Sequence, residues 1–82
     1  MSTLEVEVTA LRPRSVSFSE RDLIVELEDG RAISTPLNWY PKLLVGSPEA
    51  RMNYELSPFG VHWPSLDEDL SVAGMLAGNR PK

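Results

Sequence analysis

The chain contains no cysteine, so a disulfide and any zinc site built on thiolates are both excluded. It also lacks an apolar stretch that could cross a bilayer, since runs such as residues 43–45 are far too short. The N-terminus shows no basic region followed by an apolar stretch, so we expect no signal peptide. These absences predict a soluble protein of the reducing cytoplasm.

Positive charge is scarce as well. Eight lysines and arginines stand against twelve acidic residues, which gives a formal net charge of −4. A phosphate backbone repels a negative chain, so direct nucleic-acid binding is disfavoured. Arg12, Arg14 and Arg21 form the densest basic group, and without interleaved aromatics we interpret them as part of a solvated loop.

The 82 residues leave room for one hydrophobic core. We therefore expect a single domain over residues 1–82, with a frayed polar tail at about 79–82. No internal repeat, low-complexity tract or linker divides the chain.

Apolar and polar residues alternate in four segments of the first half, which is typical of half-buried strands. These segments are residues 4–10, 16–18, 23–27 and 32–35. Pro13 is expected to end the first strand. Asp29-Gly30 lies between two extended runs and predicts a hairpin with a type I′ turn. The last three strands form an antiparallel meander, which the first strand is expected to join.

The second half mixes short helices with a second hairpin. Helical spacing predicts a helix over residues 37–45 with Pro41 in its first turn, and Ser47 caps another that begins at Pro48. A hairpin is expected to join residues 54–56 to residues 61–63. A last helix is predicted over residues 71–77.

The pattern as a whole predicts an α+β fold. We expect an antiparallel sheet of four to six strands with two or three short helices packed on one face. The predicted core is Leu4, Val6, Val8, Val16, Phe18, Leu23, Val25, Leu27, Ile33, Leu37, Leu43, Leu56, Val72, Met75 and Leu76.

His62 is the only histidine, so it is the only candidate for a histidine base or a histidine metal ligand. It lies in a predicted strand and faces away from Val61, which indicates a partly exposed strand histidine. No nucleophile elbow, zinc-binding helix or second histidine accompanies it.

Asp67, Glu68 and Asp69 form the densest acidic cluster. Because they precede a predicted helix, we favour a helix start, where carboxylates interact favourably with the helix dipole. A partner-facing acidic patch and a site for a hard cation are the alternatives.

Trp39 and Trp63 are the other candidates for function, because tryptophan is enriched both in cores and at interaction hot spots. Tyr40 follows Trp39 at about 100° around a predicted helix, so the two cannot both point at the core. We favour core or boundary packing for the tryptophans and keep an interface role open.

Two segments together resemble a known family. Residues 27–33 (LEDGRAI) followed by residues 36–43 (PLNWYPKL) resemble one half of the small prokaryotic domain of unknown function 2442. Residues 60–72 (GVHWPSLDEDLSV) are similar to its second half. The resemblance covers about residues 15–78, and it implies a small α+β domain of a kind often encoded beside a second small protein and associated with toxin–antitoxin pairs. It supplies no catalytic residues.

The sequence thus predicts a non-enzymatic interaction module without a cofactor, antitoxin-like or an adaptor, that binds another small protein. A small basic protein is one such partner, and self-association through a sheet edge would give a homodimer. The candidate binding residues are Trp39, Tyr40, His62, Trp63, Asp67, Glu68 and Asp69. One alternative is an acidic inhibitor or mimic that occupies a basic groove of a nucleic-acid-handling complex. A remote alternative is an enzyme or metal protein built on His62 with the acidic cluster.

Overall fold

A computed structural model describes residues 12–78, which form two three-stranded antiparallel sheets and three short α-helices. The first sheet has the order β1-β2-β3 and the second has the order β4-β5-β6. The strands are β1 (Pro13–Phe18), β2 (Asp22–Leu27), β3 (Ala32–Pro36), β4 (Glu55–Leu56), β5 (Gly60–Trp63) and β6 (Glu68–Ser71). The helices are α1 (Pro41–Leu44), α2 (Pro48–Met52) and α3 (Val72–Leu76), with 3₁₀ helices at Leu37–Trp39 and Pro64–Leu66. The α+β class is confirmed, but a single sheet of four to six strands is wrong.

The first sheet confirms the predicted meander. Its middle strand alternates as expected, with Leu23, Val25 and Leu27 buried and the residues between them only partly buried. Directly paired residues of an antiparallel sheet share a face, so Val16, which pairs with Val25, joins the buried side. Pro13 begins β1, next to an irregularity in the register, and does not end a preceding strand in the described residues.

The β2–β3 turn differs from the predicted type I′ turn. Among the residues of this turn, only Gly30 has a positive φ, of 93°, whereas a type I′ turn needs positive φ at two positions. Its N–H donates to the Leu27 carbonyl at 3.0 Å, and the Leu27 N–H donates to the Arg31 carbonyl at 2.7 Å. This is the three-residue hairpin loop in which a type I turn ends in a glycine bulge. The Asp29 carboxylate accepts the Arg31 N–H at 3.0 Å and stabilises that geometry.

The segment between the sheets is more broken than one helix over residues 37–45. The 3₁₀ helix ends at Trp39, and Pro41 starts α1 in the first-turn position expected for a proline. The Ser47 hydroxyl accepts the Ala50 N–H at 3.1 Å and caps α2, as the sequence predicted.

Arg51 of α2 connects these pieces. Its guanidinium donates to the carbonyls of Leu43 and Leu44, both at 2.7 Å, and so binds the C-terminus of α1. The same group lies 5.4 Å from the centre of the Phe18 ring, which adds a cation–π contact to β1. Arg51 therefore ties both short helices to the first sheet.

Replacing Arg51 with lysine should lower the free energy of unfolding by about 2 kcal/mol, because one ammonium cannot reproduce the planar two-carbonyl contact. Urea denaturation measures this difference. Arg14→Lys is the matched control, since Arg14 forms only an exposed ion pair with Glu26 and its change should cost at most about 0.5 kcal/mol. Equal losses in both variants would contradict a structural role for Arg51.

The second sheet includes the acidic segment, and here the predicted helix start is wrong. Asp67 adopts a left-handed conformation with φ of 51° at the end of the second 3₁₀ helix. The chain then turns back, and Glu68–Ser71 pairs with β5 as a strand. Helix α3 begins only at Val72, where the Ser71 hydroxyl accepts the Gly74 N–H at 2.9 Å. The open edge of β5 thus outweighs the local preference of the carboxylates for a helix N-terminus.

One hydrophobic cluster connects the two sheets and the helices. The prediction that Leu56 and Leu76 belong to the core is wrong, because these residues are 42% and 54% exposed. Leu56 ends a two-residue edge strand, and Leu76 ends the last helix. Phe18 and Ile33 pack against the cluster without full burial. The predicted members that are buried are Val16, Leu23, Val25, Leu27, Leu37, Leu43, Val72 and Met75. Leu4, Val6, Val8 and the strand predicted at residues 4–10 lie outside the described residues.

Candidate functional site

Two of the predicted binding residues lie in the core. Tyr40 and Trp63 are both completely buried, and the Trp63 indole donates to the Arg51 carbonyl at 2.8 Å. Side chains without exposed surface cannot contact a partner while this fold is intact. Their inclusion among the partner-binding residues is therefore corrected, and they act as structural residues.

Trp39 lies at the boundary of the core, as the sequence indicated. Its ring is partly buried against the hydrophobic cluster and contacts Tyr40 edge to face, with 6.5 Å between the ring centroids. Substitution of Trp39 would disturb packing as well as the surface, so it is a poor probe of binding alone.

His62 lies on the solvent side of the second sheet. It pairs with Glu55 of β4 and with Asp69 of β6, so these three side chains share one face. The flanking residues Val61 and Trp63 point to the opposite face and are buried. We call this arrangement the Glu55–His62–Asp69 row. The sequence placed His62 on the wetter face correctly but did not identify Glu55 as its neighbour.

The acidic cluster does not act as one group. Asp69 joins the row, whereas Glu68 pairs with Trp63 on the other face of the sheet. The side chain of Asp67 is fully exposed beside Lys42, whose ammonium donates to the Asp67 carbonyl at 2.8 Å. Within residues 12–78, no group of three histidine, cysteine or acidic side chains is arranged to hold a metal ion.

Charge is divided unevenly between the two halves of the fold. Residues 12–46 balance five acidic side chains against five basic ones. Residues 47–78, which contain the second sheet, hold five acidic side chains and a single basic one. The acidic side chains of this second part are Glu49, Glu55, Asp67, Glu68 and Asp69. We call residues 47–78 the acidic half, and its excess equals the formal net charge of −4 of the whole chain.

Two carboxylates of the first sheet and its hairpin loop, Glu26 and Asp29, are paired with arginines of the same part of the fold. The hydrogen bond from Arg14, followed by one from Ser15, lowers the pKa of Glu26, and the backbone N–H of Arg31 lowers the pKa of Asp29. In the acidic half, the only basic side chain is Arg51, which is already bound to two carbonyls. The one ion pair described there is the exposed contact of Asp67 with Lys42 at 4.0 Å.

The family model described as Protein of unknown function (DUF2442) matches residues 13–81. The chain belongs to the DUF2442 family. This confirms the resemblance carried by the two sequence segments, both of which lie within the match. No curated protein matches the chain. The family's own description assigns no activity.

Two solved structures share the DUF2442 fold seen here. An uncharacterized protein from Chromobacterium violaceum, solved by NMR, has a TM-score of 0.73 at 24% identity and covers all of this chain and 86% of its own. A protein of unknown function from Rhodospirillum rubrum, known from a crystal structure at 2.75 Å, has a TM-score of 0.72 at 28% identity. That alignment covers 87% of this chain and 90% of the other. Both structures support the fold. Neither description states a function, so the function of this DUF2442 protein has to be inferred from its surface residues.

Among residues 12–78, no helix is long and apolar enough to span a bilayer. The prediction of self-association through a sheet edge stays untested. At the outer edge of β1, the Tyr54 hydroxyl accepts the Val16 N–H at 3.2 Å and occupies one of the free backbone groups. The outer edge of β3 pairs with no strand in the described part of the chain.

Proposed function

We propose that this protein is a non-enzymatic interaction module that binds a small basic protein through the solvent face of its second sheet. The observation that supports this most directly is the concentration of uncompensated carboxylates in the acidic half. A surface with one sign of charge raises the rate of encounter with an oppositely charged partner and disfavours like-charged ones. The Glu55–His62–Asp69 row lies at the centre of this face.

The packing of the second sheet also supports a binding role. The buried side chains on its other face, Val61, Trp63 and Leu70, anchor β5 and β6, which present His62 and Asp69. Carboxylates held on strands lose less freedom on binding than carboxylates on a loose loop, so more of the interaction energy remains as affinity. A neutralising adaptor or an antitoxin-like protein would use such a surface.

The same charge distribution favours a second candidate function. An acidic face can occupy a basic nucleic-acid groove and thereby inhibit a nucleic-acid-handling complex. This alternative differs from the first in its partner, because a groove binder would be captured with a nucleic-acid-handling complex and would lower the nucleic-acid binding of that complex.

The test is affinity capture from the native host with the tagged 82-residue chain, followed by identification of the bound protein and titration with the purified partner. We expect a small basic partner whose capture falls steeply with salt, since screening weakens exposed charge contacts. The double variant Glu55→Gln/Asp69→Asn should bind at least about tenfold more weakly, which corresponds to about 1.4 kcal/mol.

The matched control is Glu20→Gln/Glu28→Gln, which removes two exposed carboxylates from the charge-balanced half. It should bind like the parent protein. If both double variants bind equally well, the second sheet is not the binding surface. Capture of a nucleic-acid-handling complex in place of a small basic protein would favour the inhibitor instead of the adaptor.

A further inference from the structure

The solvent face of the second sheet contains a concavity of about 330 Å³. It lies beside the Glu55–His62–Asp69 row, and Asp69 belongs to both. The lining residues are Ser57, Phe59, Gly60, Asp69, Leu70 and Ser71.

The depression results from the close packing of two strands. A Cβ on Gly60 would overlap the Leu70 carbonyl oxygen and would lie 3.0 Å from the Ser71 Cα, so this position can hold only glycine without moving β6. Gly60 pairs with Ser71, another small residue, so no large side chain fills the bottom of the concavity. The concavity is therefore a fixed consequence of the strand pairing.

The walls differ in chemistry. Asp69 supplies an exposed carboxylate, and Phe59 supplies an aromatic ring that is 77% exposed. The Ser57 and Ser71 hydroxyls are already hydrogen bonded to backbone N–H groups of Gly60 and Gly74, so they shape the rim. No basic side chain is among the lining residues.

A carboxylate and an exposed aromatic ring around one depression match the guanidinium group. Guanidinium is planar, donates two parallel hydrogen bonds to a carboxylate and stacks on aromatic faces. An ammonium group satisfies the carboxylate as a point charge but stacks less well. Phe59 is one of the large apolar side chains that are mostly exposed to water, so its ring is accessible to a ligand.

We propose that this concavity binds an arginine side chain of the basic partner, with Asp69 pairing with the guanidinium and Phe59 packing on its plane. The proposal rests on the function proposed above and adds the residue that the surface recognises. It also assigns Phe59, which the sequence did not single out, to the binding site.

The test is an NMR titration of the ¹⁵N-labelled 82-residue chain with the peptide acetyl-Gly-Gly-Arg-Gly-Gly-amide. The control peptide has citrulline in place of arginine, which keeps the shape and removes the charge. We expect the arginine peptide to shift the amide signals of Gly60, Asp69 and Ser71 and to bind at least about tenfold more tightly than the citrulline peptide, or about 1.4 kcal/mol.

Three variants locate the binding group. Asp69→Asn should weaken the arginine peptide about tenfold, and Phe59→Leu should weaken it about threefold, as expected for the loss of an exposed cation–π contact. Asp67→Asn is the matched control, because it removes the same charge from a fully exposed side chain outside the concavity. It should change the affinity by less than about twofold. The amide spectrum of each variant verifies its fold.

Equal losses in Asp69→Asn and Asp67→Asn would overturn the arginine assignment, and so would equal binding of the two peptides. If partner capture still depended on Glu55 and Asp69 in that case, the acidic surface would remain the binding site. The failure of this proposal is thereby separable from the failure of the proposed function.

Discussion

Replacing Gly60 with alanine is expected to lower the free energy of unfolding by about 3 kcal/mol or more. A Cβ at this position would overlap the Leu70 carbonyl oxygen and lie 3.0 Å from the Leu70 carbonyl carbon. Both neighbours are backbone atoms, so the clash cannot be relieved by a side-chain rotation. Strands β5 and β6 would have to separate, and the bond from the Val72 N–H to the Phe59 carbonyl, 2.9 Å in length, would be lost as well.

The expected loss is large relative to the stability of a domain of this size, which is on the order of 5 kcal/mol. Urea denaturation followed by circular dichroism measures it. Gly30→Asn is the control, because a side chain there meets nothing within 4 Å and asparagine tolerates positive φ. That variant should lose at most about 1 kcal/mol. A Gly60→Ala protein as stable as the parent would show that β5 and β6 lie farther apart than described.

The first sheet could be predicted because its information is local. The strand segments of this sheet show apolar and polar alternation, and the hairpin loop marked by Asp29-Gly30 fixes which strands are neighbours. Only the turn type was missed, since the difference depends on one additional loop residue and on the contact of Asp29 with Arg31. The topology of a meander follows from the order of its strands and short turns along the chain, and the first sheet is a meander.

The second sheet was harder to predict because its third strand has a misleading local sequence. Residues 67–69 precede an apolar run and contain the residue types that favour a helix start. Their strand conformation depends on the left-handed Asp67 and on the free edge of β5, and both are set by the tertiary structure. The division into two sheets is also set by the tertiary structure. A two-residue strand such as β4 has almost no sequence pattern that would show which sheet it joins.

The candidate site was predicted in part. Facing His62 away from Val61 was correct, and the same alternation also places Trp63 on the Val61 side, where it is buried. The sequence does not separate a buried role from a binding role for Tyr40 and Trp63, because aromatic residues are enriched in cores and at interfaces alike. The charge imbalance between the halves was readable from the sequence, but its meaning depends on the register that brings Glu55 and Asp69 to one face.

The burial of Trp63 leads to the last prediction. Its indole has no exposed surface and donates to the Arg51 carbonyl at 2.8 Å. The side chain therefore packs in the core and also supplies a hydrogen-bond donor to a backbone carbonyl near the end of α2. Trp63→Ala should cost about 3–5 kcal/mol, which is most or all of the stability expected for a domain of this size. Trp63→Phe should cost about 2 kcal/mol, because the ring is smaller and the carbonyl loses its donor.

Trp63→Phe separates a structural role from a binding role. Its unfolding is measured in urea, and its affinity for the basic partner is measured under conditions where it is folded. Because Trp63 does not reach the surface, we expect a less stable protein with unchanged affinity. Trp39→Phe is the control for the unfolding measurement alone, since Trp39 is only partly buried and its substitution should cost about 1 kcal/mol. A Trp63→Phe protein with normal stability and lost affinity would place Trp63 at the interface and contradict the burial described here.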